Sequence, residues 1–205
     1  MSPRPAFLFV PGAWHRTWTY DPVRADLAAR GFPSAAAELA SVGAQDPAST
    51  GLAQDIAAIR AGLEGLLDAE TETEAEVVVV AHSYGGIPAA GAVQGLSCAE
   101  RAREAVAHGE SRSGHPVAHA QGDGGQVRLR AVGRRGGFEM GYIFAEEDQA
   151  IPLVAQKAFQ SQFPADSFTA SFKASHSPFL SMPEALGGVL EQAAEFALKK
   201  RGHVE

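Results

Sequence analysis

The 205 residues include 17 basic and 24 acidic side chains, and the hydrophobic share of 45% is ordinary for a globular domain with one core. The net charge of −7 gives no reason to expect nucleic acid or an anionic membrane as a partner. A single cysteine, Cys98, excludes an internal disulfide, and no apolar run reaches the roughly 18 residues of a membrane span. We expect one domain over residues 1–205, located in the cytoplasm because residues 1–5 show no signal-peptide pattern.

The first part of the chain alternates short apolar runs with helical patterns. Ala6–Val10 is an apolar run stopped by Pro11-Gly12, so it predicts a central strand. Three further elements follow in chain order: a helix over 21–31, a weak strand over Ser34–Glu38, and a helix whose apolar stripe runs from Leu52 to Leu66. This alternation predicts an α/β fold, a mostly parallel sheet with helices on both faces.

The loop from Pro11 to Tyr20 holds both tryptophans of the chain, Trp14 and Trp18. Aromatic side chains in a loop directly after a buried strand predict either a pocket wall or a cover over the sheet edge. His15 in the same loop is either a substrate contact or a surface histidine.

The most informative stretch is Val77–Gly86, which reads Val-Val-Val-Val-Ala-His-Ser-Tyr-Gly-Gly. It predicts a buried strand, a sharp turn at Ser83, and a helix over Ile87–Leu96. The small residues Ala81 and Gly85 stand two positions either side of Ser83. This is the pattern of a nucleophile elbow, in which a serine is held on a strained turn at the sheet edge.

Two further strand and helix units follow in the second half. Met140–Ala145 predicts a strand that ends in Glu146-Glu147-Asp148, and Pro152 opens a helix to about Gln162. Ser167–Lys173 predicts a strand that leads to His176. The last helix begins at the capping box Ser181-Met182-Pro183-Glu184.

Ser83, Asp148 and His176 therefore stand at the ends of three separate strands, in the chain order of α/β-hydrolases. His176 would take the proton of the serine hydroxyl, and Asp148 would orient the imidazole. Glu146 or Glu147 is an alternative acid. His82 is predicted to be a packed supporting residue, because its side chain should point away from that of Ser83.

The oxygen that becomes negative during such a reaction needs backbone donors. The amide of Tyr84, directly after the nucleophile, and that of Ala13, in the loop after the first strand, are the natural pair for an oxyanion hole.

Four motifs carry a resemblance to a known family: Pro11-Gly12-Ala13-Trp14-His15, Ala-His-Ser-Tyr-Gly-Gly around Ser83, Asp148-Gln-Ala-Ile-Pro152 and Ser175-His-Ser-Pro-Phe-Leu-Ser181. They resemble the α/β-hydrolase branch of plant methylesterases, salicylate-binding esterases, hydroxynitrile lyases and their microbial relatives. The resemblance implies that Ser83, Asp148 and His176 form the triad and that Ala13 and Tyr84 form the oxyanion hole. Trp14, His15 and Phe179 are the expected substrate contacts.

Residues 97–137 do not fit this pattern. They contain seven arginines, eight of the 22 glycines and three of the seven histidines, but no aromatic residue. We expect an irregular insert in place of a core strand, with the cap of the family reduced or absent, because Arg128–Val132 is strongly charged for a central strand. An RNA- or phosphate-binding segment, and a metal site from His108, His115 and His119, remain alternatives.

The sequence thus predicts a serine esterase that cleaves a small carboxylic ester through an acyl-enzyme, without a cofactor or metal. A catalytically inactive small-molecule-binding or truncated paralogue is the alternative. A hydroxynitrile lyase is third, because the lyases of the branch have a lysine directly after the catalytic histidine and this chain has Ser177.

Overall fold

A computed structural model of the chain describes residues 4–68, 76–96, 128–132 and 138–202. Within these ranges the strands form one sheet in the order β2-β1-β3-β4-β5-β6. They are β1 (Ala6–Val10), β2 (Ser34–Ala36), β3 (Val77–Ala81), β4 (Arg128–Val132), β5 (Glu139–Ala145) and β6 (Phe168–Phe172). The helices are α1 (Asp21–Ala29), α2 (Leu52–Asp68), α3 (Gly86–Ala92), α4 (Leu153–Gln160), α5 (Pro178–Ser181) and α6 (Pro183–Gly202).

Helices cover both faces of the sheet, as the alternation of elements predicts. Successive side chains of a strand point to opposite faces, and β1 buries every one of its residues. On one face Phe7 and Phe9 pack into a cluster with residues of α1 and α6, including Leu27 and Leu190. On the other face Leu8 and Val10 belong to a cluster with residues of α2 and α3, including Ile59 and Ala92.

The direction of the strands decides where the polar side chains collect. β1 pairs in parallel with β2 and β3, and β5 pairs in parallel with β6. β4 is antiparallel to both of its neighbours, so β3 and β5 run in the same direction. The carboxyl ends of β1, β3, β5 and β6 therefore meet at one edge of the sheet, where open α/β sheets bind their ligands.

Strand β4 corrects the expectation for residues 97–137. The stretch Arg128–Val132 lies in the middle of the sheet, with Val77 opposite Val132 and Arg130 opposite Met140. The hydrogen bonds between neighbouring strands are made by backbone groups, so charged side chains do not prevent a strand. The sequence Arg-Leu-Arg-Ala-Val also begins with the alternation of polar and apolar residues that is typical of a strand. The predicted insert is wrong for these five residues. Its remainder, the cap and the candidate metal set His108, His115 and His119 lie outside the described residues.

The helix after the elbow is shorter than predicted. A 3₁₀ turn occupies Ser83–Gly85, and α3 then ends at Ala92 rather than continuing to Leu96. Gly95 has a φ of +73°, a conformation that an L residue rarely adopts and that ends helical geometry. No described helix has both the length and the apolar character that a membrane span requires.

Candidate active site

Ser83 occupies a strained turn directly after β3. Its φ of +51° lies in the left-handed region, which costs a non-glycine residue roughly 1–2 kcal/mol. His82 before it is still extended, with φ −108° and ψ 133°, so the chain reverses abruptly at the serine. This is the local geometry of a nucleophile elbow.

Gly12 in the loop after β1 and Gly85 in the elbow allow these two backbone segments to approach each other closely. A Cβ on Gly85 would overlap the carbonyl oxygen of Pro11 and lie 2.9 Å from that of Val10. A Cβ on Gly12 would lie 2.6 Å from His82 Nδ1 and 3.1 Å from Ser83 Cβ. The loop after β1 is therefore packed directly against the elbow, which puts Ala13 in the same region as Ser83.

Asp148 and His176 meet at this edge of the sheet. His176 Nδ1 donates to Asp148 Oδ2 at 2.9 Å, and Asp148 Oδ1 accepts from the amides of Ala150 and Ile151 at 2.7 and 3.0 Å. Burial alone raises the pKa of Asp148, but the bonds from His176 and the two amides outweigh it and hold that pKa below its usual value. The carboxylate thus stays ionised and fixes the imidazole in the tautomer that carries its proton on Nδ1.

The neighbouring acids do not share this position. Glu146 and Glu147 are exposed, whereas the side chain of Asp148 has no exposed surface. A backbone hydrogen bond also joins the segment that carries Asp148 to the segment that carries His176. In it the Glu147 amide donates to the carbonyl of Ala174, two residues before His176. Of the three candidate acids, Asp148 is the one hydrogen-bonded to His176.

In the described part of the chain, the His176 ring is hydrogen-bonded to Asp148 but not to the Ser83 hydroxyl. Within residues 4–68, 76–96, 128–132 and 138–202, the structure has no hydrogen bond between the Ser83 hydroxyl and the His176 ring. In active sites without substrate the distance between the nucleophile and the base is often too long for a hydrogen bond, and it shortens when substrate binds. The site therefore contains a tightly bonded acid and histidine beside a serine elbow.

The aromatic loop after β1 lies open. Trp14 is 92% exposed with a φ of +63°, and Trp18 is 66% exposed, so neither tryptophan covers the sheet edge. Tyr20 is buried and stacks on Phe9. His15 is half-buried rather than on the surface, and its Nδ1 donates to the carbonyl of Ala13 at 3.0 Å.

Phe179 differs from its prediction as a substrate contact. Its side chain has no exposed surface and packs against the rings of Tyr20 at 4.6 Å, His82 at 4.9 Å and His15 at 5.6 Å. A ring enclosed in this way lies beneath the site. The apolar residue after Pro178 fills the space under the histidine loop instead of lining a pocket.

Two buried polar residues support the site and were missed by the sequence analysis. Gln156 of α4 bonds the backbone N–H and C=O of Ala145 and the carbonyl of Ile151, and so holds both ends of the segment that carries Asp148. Asp55 of α2 accepts from the Ser41 amide, the Ser41 hydroxyl and the Tyr84 hydroxyl at 2.7–2.8 Å. Asp55 stands three residues after Leu52, on the apolar stripe, and an acid at such a position is the signal that could have found it.

We expect Tyr84→Phe to lower the free energy of unfolding by about 1–3 kcal/mol, because a fully buried carboxylate loses one of its three donors. Burial first, and the bond to Asp55 second, raise the pKa of Tyr84 to about 12, so its hydroxyl remains a donor at neutral pH. Urea unfolding measures the loss. The control is Ser49→Ala, which removes an exposed bond to Asp46 and should cost less than about 0.5 kcal/mol. Equal losses in the two variants would contradict the role given to Asp55.

Among the described residues, no group of three or more His, Cys, Asp or Glu side chains is placed to hold a metal ion.

Comparison with known proteins agrees with this fold. A model of the alpha/beta hydrolase family matches residues 7–107. A pyrethroid hydrolase of Sphingobium wenxiniae is 43% identical over 56 residues, which cover 27% of this chain and 19% of that protein. An alpha/beta hydrolase of Aspergillus novofumigatus is 33% identical over 107 residues, which cover 52% of this chain and 39% of that protein. The chain thus spans less than half the length of either curated relative.

A solved structure extends the likeness across the fold. A methylesterase from Arabidopsis superposes with a TM-score of 0.61 at 17% identity, over 94% of this chain and 99% of that chain. At this identity the superposition reports the fold alone. Together with the family match over residues 7–107, it shows that the chain has the α/β-hydrolase fold.

Proposed function

We propose that this protein is a serine esterase that cleaves a small carboxylic ester through an acyl-enzyme. The observation that carries the proposal is the bond between His176 Nδ1 and Asp148 Oδ2, at the sheet edge where Ser83 stands on its strained turn. These residue types, in this chain order on this fold, are those of a Ser-His-Asp triad.

In the proposed reaction the Ser83 oxygen attacks the ester carbonyl carbon while its proton passes to His176 Nε2. That nitrogen is the basic one because Nδ1 carries the proton donated to Asp148. As the tetrahedral intermediate collapses, the bond to the alcohol oxygen breaks and His176 returns the proton to the leaving alcohol. A water molecule then attacks the acyl carbon while its proton passes to His176 Nε2. The bond between that carbon and the Ser83 oxygen breaks, and His176 returns the proton to this oxygen, which releases the acid and restores Ser83.

The proposed oxyanion donors are the amides of Ala13 and Tyr84. Tyr84 lies in the first turn of the 3₁₀ helix over Ser83–Gly85, where a backbone N–H has no acceptor inside the helix. The packing of Gly12 against Ser83 supports Ala13 as the second donor. Removing one such donor in other acyl-transfer enzymes costs about 3 kcal/mol of transition-state stabilisation.

The pyrethroid hydrolase and the methylesterase among the similar proteins support a carboxylic ester as substrate. Trp14, with its side chain almost fully exposed in the loop beside the elbow, is the proposed contact for an apolar part of that ester. His15 is the proposed polar contact, because Nδ1 donates to Ala13 and leaves Nε2 as an acceptor. The cytoplasmic location stays a prediction.

The proposal is tested by treating the folded protein with a fluorophosphonate probe and mapping the adduct by mass spectrometry. The expected adduct is on Ser83, and Ser83→Ala should remove it. Ser161→Ala, which changes an exposed serine bonded to the Ala158 carbonyl, is the matched control and should label normally.

Absence of labelling, combined with tight binding of a small acid that Ser83→Ala leaves unchanged, would favour an inactive binding protein. Cyanide release from a cyanohydrin would favour a lyase.

A further inference from the structure

The side chain of His82 is enclosed next to the catalytic groups. It is 1% exposed, and its ring lies 4.7 Å from that of His176, 4.9 Å from Phe179 and 5.5 Å from His15. Its prediction as a packed residue is confirmed. Packing alone, however, does not explain a histidine, because an apolar side chain would fill the same space without burying two ring nitrogens.

The hydrogen bonds of His82 fix where its proton sits. Nε2 lies 2.8 Å from the backbone carbonyl oxygen of His176, and because a carbonyl only accepts, Nε2 carries the hydrogen. Nδ1 faces Gly12 and, within the described part of the chain, has no hydrogen-bond partner. With its hydrogen on Nε2, the neutral ring leaves no buried N–H of its own without an acceptor.

The ring of His82 is also uncharged near pH 7. Burial, and to a smaller degree the nearby His176 and His15, lower the pKa of His82 to about 3. Of the other titratable groups around it, Asp148 raises the pKa slightly. Neutrality matters for the proposed reaction because His176 becomes an imidazolium when it accepts the serine proton. A second positive ring at 4.7 Å would oppose that charge.

We propose that His82 is a positioning residue for His176: its Nε2–H holds the carbonyl of His176 while Asp148 holds the His176 ring. His82 directly precedes Ser83, so one side-chain bond ties the neighbour of the nucleophile to the backbone of the base. The two anchors act on different atoms of His176, one on the main chain and one on the ring, and together they set how the ring faces Ser83. This inference rests on the proposed esterase function.

The test compares His82→Leu, which removes the donor but keeps an apolar side chain, with His82→Gln, whose side-chain N–H can replace Nε2–H. We expect Leu to lower kcat on a p-nitrophenyl ester by about 10- to 100-fold with KM nearly unchanged, since misplacing a catalytic group by about 1 Å costs on the order of 100-fold. Gln should recover most of kcat. A role in packing alone predicts no such rescue, because a buried polar amide would gain nothing over an apolar side chain there.

Nuclear magnetic resonance of ¹⁵N-histidine-labelled protein separates this inference from the esterase proposal. In the wild type we expect His82 to show the Nε2–H tautomer without titration between about pH 5 and 8, and His176 to show a slowly exchanging Nδ1 proton. That proton should persist in His82→Gln and exchange faster in His82→Leu. If the wild type hydrolyses no ester, the esterase proposal fails and these signals still decide the role of His82.

Three results would overturn the inference: an Nδ1–H tautomer at His82, titration of His82 near pH 6, or a His82→Leu variant with unchanged kcat and an unchanged His176 proton. If His82→Leu fails to fold by circular dichroism, the tautomer and titration of the wild type decide the matter.

Discussion

Replacing Asp148 with Asn should lower kcat by about four orders of magnitude and leave KM close to that of the wild type. The Asn side chain is nearly the same size but can present its NH₂ group to His176 Nδ1, which would force the imidazole proton onto Nε2. The histidine could then no longer accept the serine proton. The variant would also lose the negative charge that, in the proposed reaction, stabilises the imidazolium formed when Ser83 attacks. Steady-state hydrolysis of a p-nitrophenyl ester measures the effect.

Glu147→Gln is the matched control, since it makes the same chemical change one residue away. Glu147 is exposed, whereas Asp148 is buried and bonded to His176, so Glu147→Gln should change kcat less than about twofold. Circular dichroism should show both variants folded. A large loss in Glu147→Gln with a small one in Asp148→Asn would transfer the acid role to the glutamate and remove the main support for the triad as proposed.

The sequence was sufficient for those parts of the site that depend on local pattern. A run of β-branched residues that stops at Ser83 has few structural solutions, and the structure has the expected strand and strained turn there. Asp148 and His176 could be placed near it because each follows a strand, and parallel strands bring their carboxyl ends to one edge. The resemblance already favoured Asp148 over Glu146 and Glu147, and the structure adds that Asp148 is the buried one of the three and is bonded to His176.

Tertiary contacts decided what the sequence could not. Strand β4 was missed because its charged residues do not read as a central strand, although pairing with β3 and β5 depends on backbone groups. Phe179 was expected to contact substrate, but its ring is enclosed by Tyr20, His15 and His82. These three rings come from other segments, so no local pattern around residue 179 could have revealed the enclosure.

Gly85→Ala should destabilise the fold by about 3 kcal/mol or more and abolish labelling of Ser83. The backbone at Gly85, with a φ of −56°, would accept an alanine, so the cost comes from space alone. The added Cβ would overlap the Pro11 carbonyl and lie 3.0 Å from Val10 Cγ1, and these atoms belong to a buried strand and its following turn. Rigid backbone cannot move aside as a flexible side chain can, and overpacking of this kind typically costs 1–3 kcal/mol or more. Any relief has to come from the elbow itself, which would displace Ser83 from the loop that holds Ala13.

Gly65→Ala makes the same change where the structure has room. Gly65 is an exposed residue inside α2, and within the described part of the chain a Cβ there would meet no heavy atom within 4 Å beyond its own turn of the helix. Alanine is the better helix former, so this variant should gain about 0.5–1 kcal/mol in urea unfolding and should label at Ser83 as the wild type does. If Gly85→Ala were as stable as Gly65→Ala and kept its labelling, the close approach of the β1 loop to the elbow could not be what holds Ser83 in place.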